Sequence, residues 1–171
     1  MHQLQSISYQ IRSFQEQDFL ALQAIYQQGA SEGLATIQPP LTSHKRWQKS
    51  IVSGSCIVAE CSSNIIGWAA FRLMSSRPIY RGVVEVELYV DENYRRQGVG
   101  SALLAQLVTN AKSAGYWTLQ SLIFASNEAA LLLHHQAGFT AFGTRTSLGK
   151  MHNRWLDVVL MECQLHANEL S

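Results

Sequence analysis

The sequence predicts an α/β protein of the α+β kind, built on one mixed sheet. Three observations carry this. Short β-branched runs alternate with helical runs in the order β-α-α-β-β-β-α-β-α-β-β. Two of the runs, SCIVAEC (55–61) and IIGWAAFRLM (65–74), are joined by the polar turn SSN, the mark of an antiparallel hairpin. Elsewhere a helix separates two strands, as between VVEVELYV (83–90) and WTLQSLIF (117–124), which is how a crossover is built. Hairpins and crossovers together give a mixed sheet of about seven strands with four helices.

Each element has a local reason. YQIRSF (9–14) alternates and reads as a strand. In EQDFLALQAIYQQGA (16–30), Phe19, Leu22, Ile25 and Tyr26 recur at helical spacing, with Asp18 near the start, where a negative charge suits the dipole. Pro39 and Pro40 make TIQPPLTS a loop, and Ser43 can cap a helix from His44 to about Ser53. VVEVELYV is strongly β-branched. From Gly98 to Ser113, Leu103, Leu107, Val108 and Ala111 share one helical face, and Gly115 ends the helix. Asn127 to Gln136 forms a helix stopped at Gly138, and FTAFGTRT (139–146) and RWLDVVLMECQL (154–165) are strands.

The 171 residues are 47% apolar and 15% charged, with a formal net charge of +1. That composition fits one folded domain, and it lacks the basic surplus of a sequence-blind nucleic-acid binder. No stretch approaches the roughly 18 apolar residues of a membrane helix, and MHQLQSISYQ lacks a signal-peptide core. A cytoplasmic location is expected. Cys56, Cys61 and Cys163 contain no CxxC pair, so neither a disulfide framework nor a zinc site is expected. His2, His44, His152 and His166 have no metal-ligand spacing, and no metal is expected.

The chemistry concentrates in ENYRRQGVGSALL (92–104). Two common nucleotide motifs fail here. A P-loop needs a lysine after its glycines, and a dinucleotide fingerprint needs a third glycine where Leu103 stands. Seven residues also separate Val90, the end of the strand, from Gly98. What survives is a helix N-terminus opened by Gly98 and Gly100, whose unpaired N–H groups bind anions, with Arg95, Arg96 and Gln97 beside it. The residues alone leave two readings open, a pyrophosphate cradle or a solvated arginine turn.

The segment RRQGVG resembles the Arg/Gln-x-x-Gly-x-Gly/Ala motif of the GNAT N-acetyltransferase superfamily. AIYQQGASEGLAT, IIGWAAF, RPIYRG, SNEAALLLHHQAGF and RWLDVVLM resemble, in order, further segments of its phosphinothricin N-acetyltransferase branch. The resemblance covers residues 9–165. It implies a single GNAT domain there, with tails at 1–8 and 166–171, and a central, mostly antiparallel mixed sheet. It implies acetyl-coenzyme A as cosubstrate, with the pyrophosphate held by Arg95, Arg96, Gln97, Gly98, Val99, Gly100 and Ser101. Leu88, Tyr89 and Val90 fall where two strands of the superfamily part to admit the pantetheine, and Asn127 matches a cofactor contact. Homodimers are common among such relatives, and a homodimer is expected here.

In VVEVELYV, Glu85, Glu87 and Tyr89 share one face, which by pattern alone could simply face water. Acetyl transfer to an amine needs a proton acceptor, and the resemblance places it at Glu85. Glu87 departs from the small hydroxyl residue usual there. The two carboxylates lie about 7 Å apart along the strand. Glu87 has three open roles: raising the basicity of its neighbour, pairing with the acceptor's ammonium, or pairing with an arginine. His134 stands where relatives carry an acid for the leaving thiolate, and a histidine favoured by the helix C-terminus explains it equally. Around the acceptor the resemblance places the loops at 35–40, 75–81 and 148–155, with Thr36, Arg77, Tyr80 and Arg81 as candidate contacts; Ile37, His152 and Asn153 depart from the usual residues. The expected activity is acetylation of the primary amine of a small amino acid-like substrate of the phosphinothricin, methionine sulfoximine or sulfone type. The alternatives are acetylation of a protein N-terminus or another amine, or a non-catalytic acyl-coenzyme A sensor.

Overall fold

A computed structural model describes residues 7–33 and 41–166. Seven strands form one sheet: β1 (Gln10–Ser13), β2 (Ile57–Cys61), β3 (Asn64–Leu73), β4 (Val83–Val90), β5 (Thr118–Phe124), β6 (Thr140–Met151) and β7 (Arg154–Gln164). Their spatial order is β1-β2-β3-β4-β5-β7-β6. Every neighbouring pair is antiparallel except β4 and β5. Among the described residues four α-helices accompany the sheet: α1 (Phe19–Ser31), α2 (His44–Ser50), α3 (Val99–Ser113) and α4 (Glu128–Gln136). The element order is the one the sequence predicts.

Two hairpins are closed by unusual residues. Ser62 and Ser63 turn β2 into β3 with both φ angles positive, at 48° and 66°. That is the twist a two-residue hairpin requires. His152 and Asn153 do the same between β6 and β7, at 46° and 62°. Residues 148–155, expected to be a loop, are therefore the paired ends of two strands. The edge strand β6 shifts register between Arg145 and Gly149, where Ser147 has φ +53° and its N–H bonds Asp157 Oδ1 at 2.8 Å. This irregularity hides the strand from period-two reading. Helix α2 also ends earlier than expected, at Ser50, with Ser43 Oγ accepting the Arg46 N–H as its cap.

The two faces of the sheet bury separate cores. Helix α3 lays Val99, Leu103, Leu104, Leu107 and Ala111 on one face, all fully or nearly buried. It comes close because Gly67 has no side chain: a Cβ there would lie 3.1 Å from Leu103 and 3.1 Å from the Tyr89 carbonyl. Helices α1 and α2 cover the other face, packing Leu22, Ile25, Tyr26 and Trp47 on Val58, Trp68 and Tyr89. Each such large side chain contributes about 1.5–3 kcal/mol by leaving water. The start of α1 is fixed by Arg12, which bonds both oxygens of Asp18 at 2.7 and 3.0 Å, while Asp18 also accepts the Gln15 N–H. Asp18 is thus a buried ion-pair partner rather than a surface charge at a helix end.

One irregularity of the sheet prepares the site. Strands β4 and β5 pair over only three rungs, Val83–Thr118, Val84–Leu119 and Glu85–Gln120. Beyond these, β4 stays paired with β3 as far as Val90, and β5 with β7 as far as Phe124. The sheet opens between them.

Candidate active site

A cleft of about 650 Å³ occupies this opening. Its walls come from both sides of the sheet: α1 on one, α3 and α4 on the other, and the end of β4 between. Only a gap in the sheet lets helices from opposite faces line one cavity. Cys56, Cys61 and Cys163 are free thiols away from its walls.

The loop after β4 is shaped by side chain to backbone bonds. Asp91 caps the short turn that follows, its Oδ1 accepting the Asn93 N–H at 2.9 Å. Gln28 of α1 clasps the same turn twice, donating to Asp91 Oδ2 at 3.0 Å and accepting the Glu92 N–H at 3.1 Å. Gln97 Nε2 bonds the Asn93 carbonyl at 3.0 Å. Arg95 Nε bonds the Val90 carbonyl at 3.2 Å, and its Nη1 reaches both oxygens of Glu32 at 2.8 and 2.9 Å. Arg96 takes a left-handed φ of +61° and lines the cleft. Such a conformation in a non-glycine residue costs on the order of 1 kcal/mol.

Gly98 then starts α3 at φ +84°. The first helical bond runs from the Ala102 N–H to the Gly98 carbonyl. The N–H groups of Val99, Gly100 and Ser101 therefore have no partner inside the helix, and a glycine N-cap has no side chain to cover them. At Gly100 a Cβ would sit 3.3 Å from Leu133 and 3.6 Å from Val90, in the space between β4 and α4. These features fit an anionic ligand with an apolar arm, such as a pyrophosphate with a pantetheine.

The expected cofactor residues divide. Leu88, Tyr89, Val90, Arg95, Arg96, Gly98, Gly100, Ser101 and Asn127 line the cleft. Gln97 does not, being turned to Asn93, and the Val99 side chain is buried in the core. Asn127 caps α4, its Oδ1 accepting the Ala130 N–H at 3.1 Å.

Glu85 stands at the last rung of the β4–β5 ladder, half-buried, and accepts a bond from Gln120 Nε2 at 2.9 Å. Glu87 lies on the same face and is nearly buried, bonded to Arg72. Burial pushes its carboxyl above the usual carboxylate range; Arg72 pulls it back and Glu85 pushes it further. The face carrying Glu85, Glu87 and Tyr89 is not a solvated surface: Glu87 is nearly buried, and α1 covers Tyr89. Tyr89 packs on Trp68 and Tyr26, with ring centroids 4.9 and 5.1 Å apart.

His134 is 5% exposed and lies outside the cleft walls. Its ring meets Phe139 edge-on at 5.0 Å, and Nδ1 bonds the Ala130 carbonyl at 2.8 Å. A carbonyl only accepts, so Nδ1 carries the hydrogen. Burial holds the imidazole below its usual pKa, so it is neutral at pH 7.

Arg77, Tyr80 and Arg81 lie on the β3–β4 connection, which enters β4 at the end opposite Arg95. Arg81 stacks on Trp117 at 5.6 Å. None of the three lines the cleft. Thr36 lies outside the described residues. The structure instead brings Glu32 to the cleft wall, and Arg72 and Gln120 to the two carboxylates of β4. None is marked by a sequence motif, because each is placed by strand register or loop packing.

Residues 19–139 match the acetyltransferase (GNAT) family. The chain is 30% identical to a phosphinothricin N-acetyltransferase of Alcaligenes faecalis, over 93% of this chain and 84% of that one. It is 32% identical to an L-methionine sulfoximine/L-methionine sulfone acetyltransferase of Salmonella typhimurium, over 64% of each. Among solved structures, a GNAT superfamily phosphinothricin acetyltransferase from Sinorhizobium meliloti in complex with acetyl-coenzyme A superposes with a TM-score of 0.88, at 26% identity, covering 96% of this chain and 92% of that one. The chain belongs to the GNAT acetyltransferase family. Its seven-stranded sheet with four helices is the fold of that family. Among the described residues no helix is long and apolar enough to cross a membrane.

Proposed function

We propose that the protein, with residues 9–165 acting as one domain, transfers acetyl from acetyl-coenzyme A to the primary amine of a small amino acid-like substrate of the phosphinothricin or methionine sulfone type. One observation carries this: a single cleft runs from the open N-terminus of α3 to the end of β4, the strand on which Glu85, outside the cleft walls, holds the last rung before β4 and β5 part. Arg95, Arg96 and the first N–H groups of α3 hold the pyrophosphate, as helix N-termini hold phosphates. Leu88, Val90 and Leu133 flank the apolar arm. Acetyl-coenzyme A supplies a thioester whose carbonyl carbon the amine attacks. Glu85 takes the proton that the amine must lose, directly or through water. His134 in its Nδ1–H form has no proton on Nε2 to give, so the departing thiolate takes its proton from solvent. Glu87 is neutralised by Arg72 and leaves Glu85 as the working carboxylate.

The acceptor class is supported by the relatives' activities, and the arginine-bearing loop with Arg77 and Arg81 suits an anionic acceptor. Phe142, Trp155 and Leu122, all well exposed, support a homodimer through the β5–β7–β6 part of the sheet.

The test is a thiol-release assay with acetyl-coenzyme A and a panel comprising L-phosphinothricin, L-methionine sulfone, an alanine-ended peptide and spermidine. Turnover on the first two, with Glu85→Gln lowering kcat by about 10²- to 10⁴-fold, is the expected result. Turnover confined to the peptide or spermidine moves the protein to another acceptor class. Tight acetyl-coenzyme A binding without turnover on any amine makes it a sensor.

A further inference from the structure

Glu85 is held from across the gap. Gln120 is its register partner in the parallel β4–β5 ladder, and Gln120 Nε2 donates to Glu85 Oε2 at 2.9 Å. Both side chains are half-buried. Their pair is the final rung before the two strands part. The carboxylate on β4 is therefore tied to a neutral donor on β5, at the point where the two strands begin to part.

We infer that Gln120 is a positioning residue that orients the Glu85 carboxylate for proton transfer. This rests on the reading of Glu85 as the proton acceptor. A glutamate side chain has three torsions, and its terminal torsion is broad. A bond to Oε2 fixes the carboxylate plane and leaves Oε1 for the proton. The donor's chemistry matters as much as its place. A lysine or arginine at position 120 would form an ion pair and compete for the oxygen that must accept; an amide holds one oxygen without neutralising the charge.

The surroundings leave this task to Gln120. Arg72 stands opposite Glu85 on β3, but its guanidinium bonds Glu87. Helix α1, which packs on Tyr89 of the same face, carries no charged side chain. Glu162 of β7, the register partner of Gln120 on its far side, repels rather than orients a carboxylate.

The experiment compares Gln120→Leu, Glu85→Gln and the double variant in the thiol-release assay, with L-phosphinothricin or L-methionine sulfone as acceptor, whichever turns over faster. The expected result for Gln120→Leu is a kcat roughly 10- to 100-fold lower, the range for a lost hydrogen bond to a charged group. The KM for acetyl-coenzyme A should stay within twofold, and the acidic limb of the kcat/KM profile should move. The double variant should be no slower than Glu85→Gln alone, because both act at one proton transfer. If Gln120→Leu does not fold, as judged by melting, Gln120→Met answers the same questions with an unbranched chain. Full kcat with an unmoved pH profile, while Glu85→Gln is inactive, overturns the role of Gln120 and leaves that of Glu85. A lower kcat with an unmoved profile and an additive double variant also overturns it, because that is the signature of packing alone. A fully active Glu85→Gln, or no turnover on either acceptor, overturns the reading of the site itself.

Discussion

Arg72 and Glu85 face each other directly across β3 and β4, yet the Arg72 guanidinium bonds Glu87, two residues further along. The diagonal choice separates two carboxylates that would otherwise share one cation. Glu87 is the more buried and gains the ion pair; Glu85 turns instead to Gln120.

Removing Arg72 should therefore expose the cost of burying Glu87. Arg72→Leu leaves a buried carboxylate without its cation, and such losses cost about 3–5 kcal/mol. The sign of the pH effect follows from burial. A carboxyl whose folded pKa is raised favours the folded state below its unfolded pKa, and that favour is lost as pH rises through the folded pKa. Without Arg72 the raised position of Glu87 goes higher still. Thermal melting should show the variant's deficit larger at pH 8 than at pH 5, and Arg72→Leu/Glu87→Leu should recover most of it. A deficit that does not change with pH would mean that Glu87 is not the group left stranded.

The opposite sign is expected at the edge of the sheet. Arg12 holds the Asp18 carboxyl below its usual range. Asp18 therefore contributes stability above its unfolded pKa, about 3.9, and that contribution is lost as pH falls through the folded pKa. Asp18→Asn should lower stability by about 1.5–3 kcal/mol near pH 7 and by much less near pH 2. Chemical denaturation at the two pH values measures the difference.

How far the sequence reveals this molecule depends on whether a feature is local. Leu22, Ile25 and Tyr26, or Leu103 and Leu107, declare their buried faces by spacing alone, and all are buried. Gly98 announces the start of α3, where its φ is +84°. The hairpin at His152–Asn153 is local too, but turn-like Gly149 and the register shift before it mask the strand ends. Nothing local marks Arg72 or Gln120. Their partners are set by the alignment of strands distant in sequence, 15 residues apart for Arg72 and Glu87 and 35 for Gln120 and Glu85. Alternation put Glu85 and Glu87 on one face correctly; whether that face met water or α1 was a question of packing.

The space at Gly100 gives a test of the cleft that spares the fold. A valine there would push between Leu133 and the β4 side chains of Leu88 and Val90, which already lie 3.3–3.8 Å from a Cβ. Gly100→Val should raise the Kd for acetyl-coenzyme A at least tenfold by calorimetry, about 1.4 kcal/mol. The melting temperature should change little, since the residue faces the cleft. Unchanged affinity would show that the ligand's arm does not pass between β4 and α4.

The Glu32–Arg95 pair supplies the last prediction. Both side chains are over a third exposed, 36% and 38%, so the pair contributes under about 1 kcal/mol to stability. Its effect on binding should be larger than its effect on folding. Arg95 must leave or share Glu32 to meet a pyrophosphate, and Glu32 places a negative charge on the wall where the anion sits. Glu32→Gln removes both obstacles at once. At low ionic strength it should tighten acetyl-coenzyme A binding by up to about fivefold, with a melting temperature near that of the wild type. At 0.5 M salt the gain should vanish, because exposed charges are screened within a few ångströms. Weaker binding in Glu32→Gln would mean instead that Glu32 holds Arg95 in the position the phosphates need.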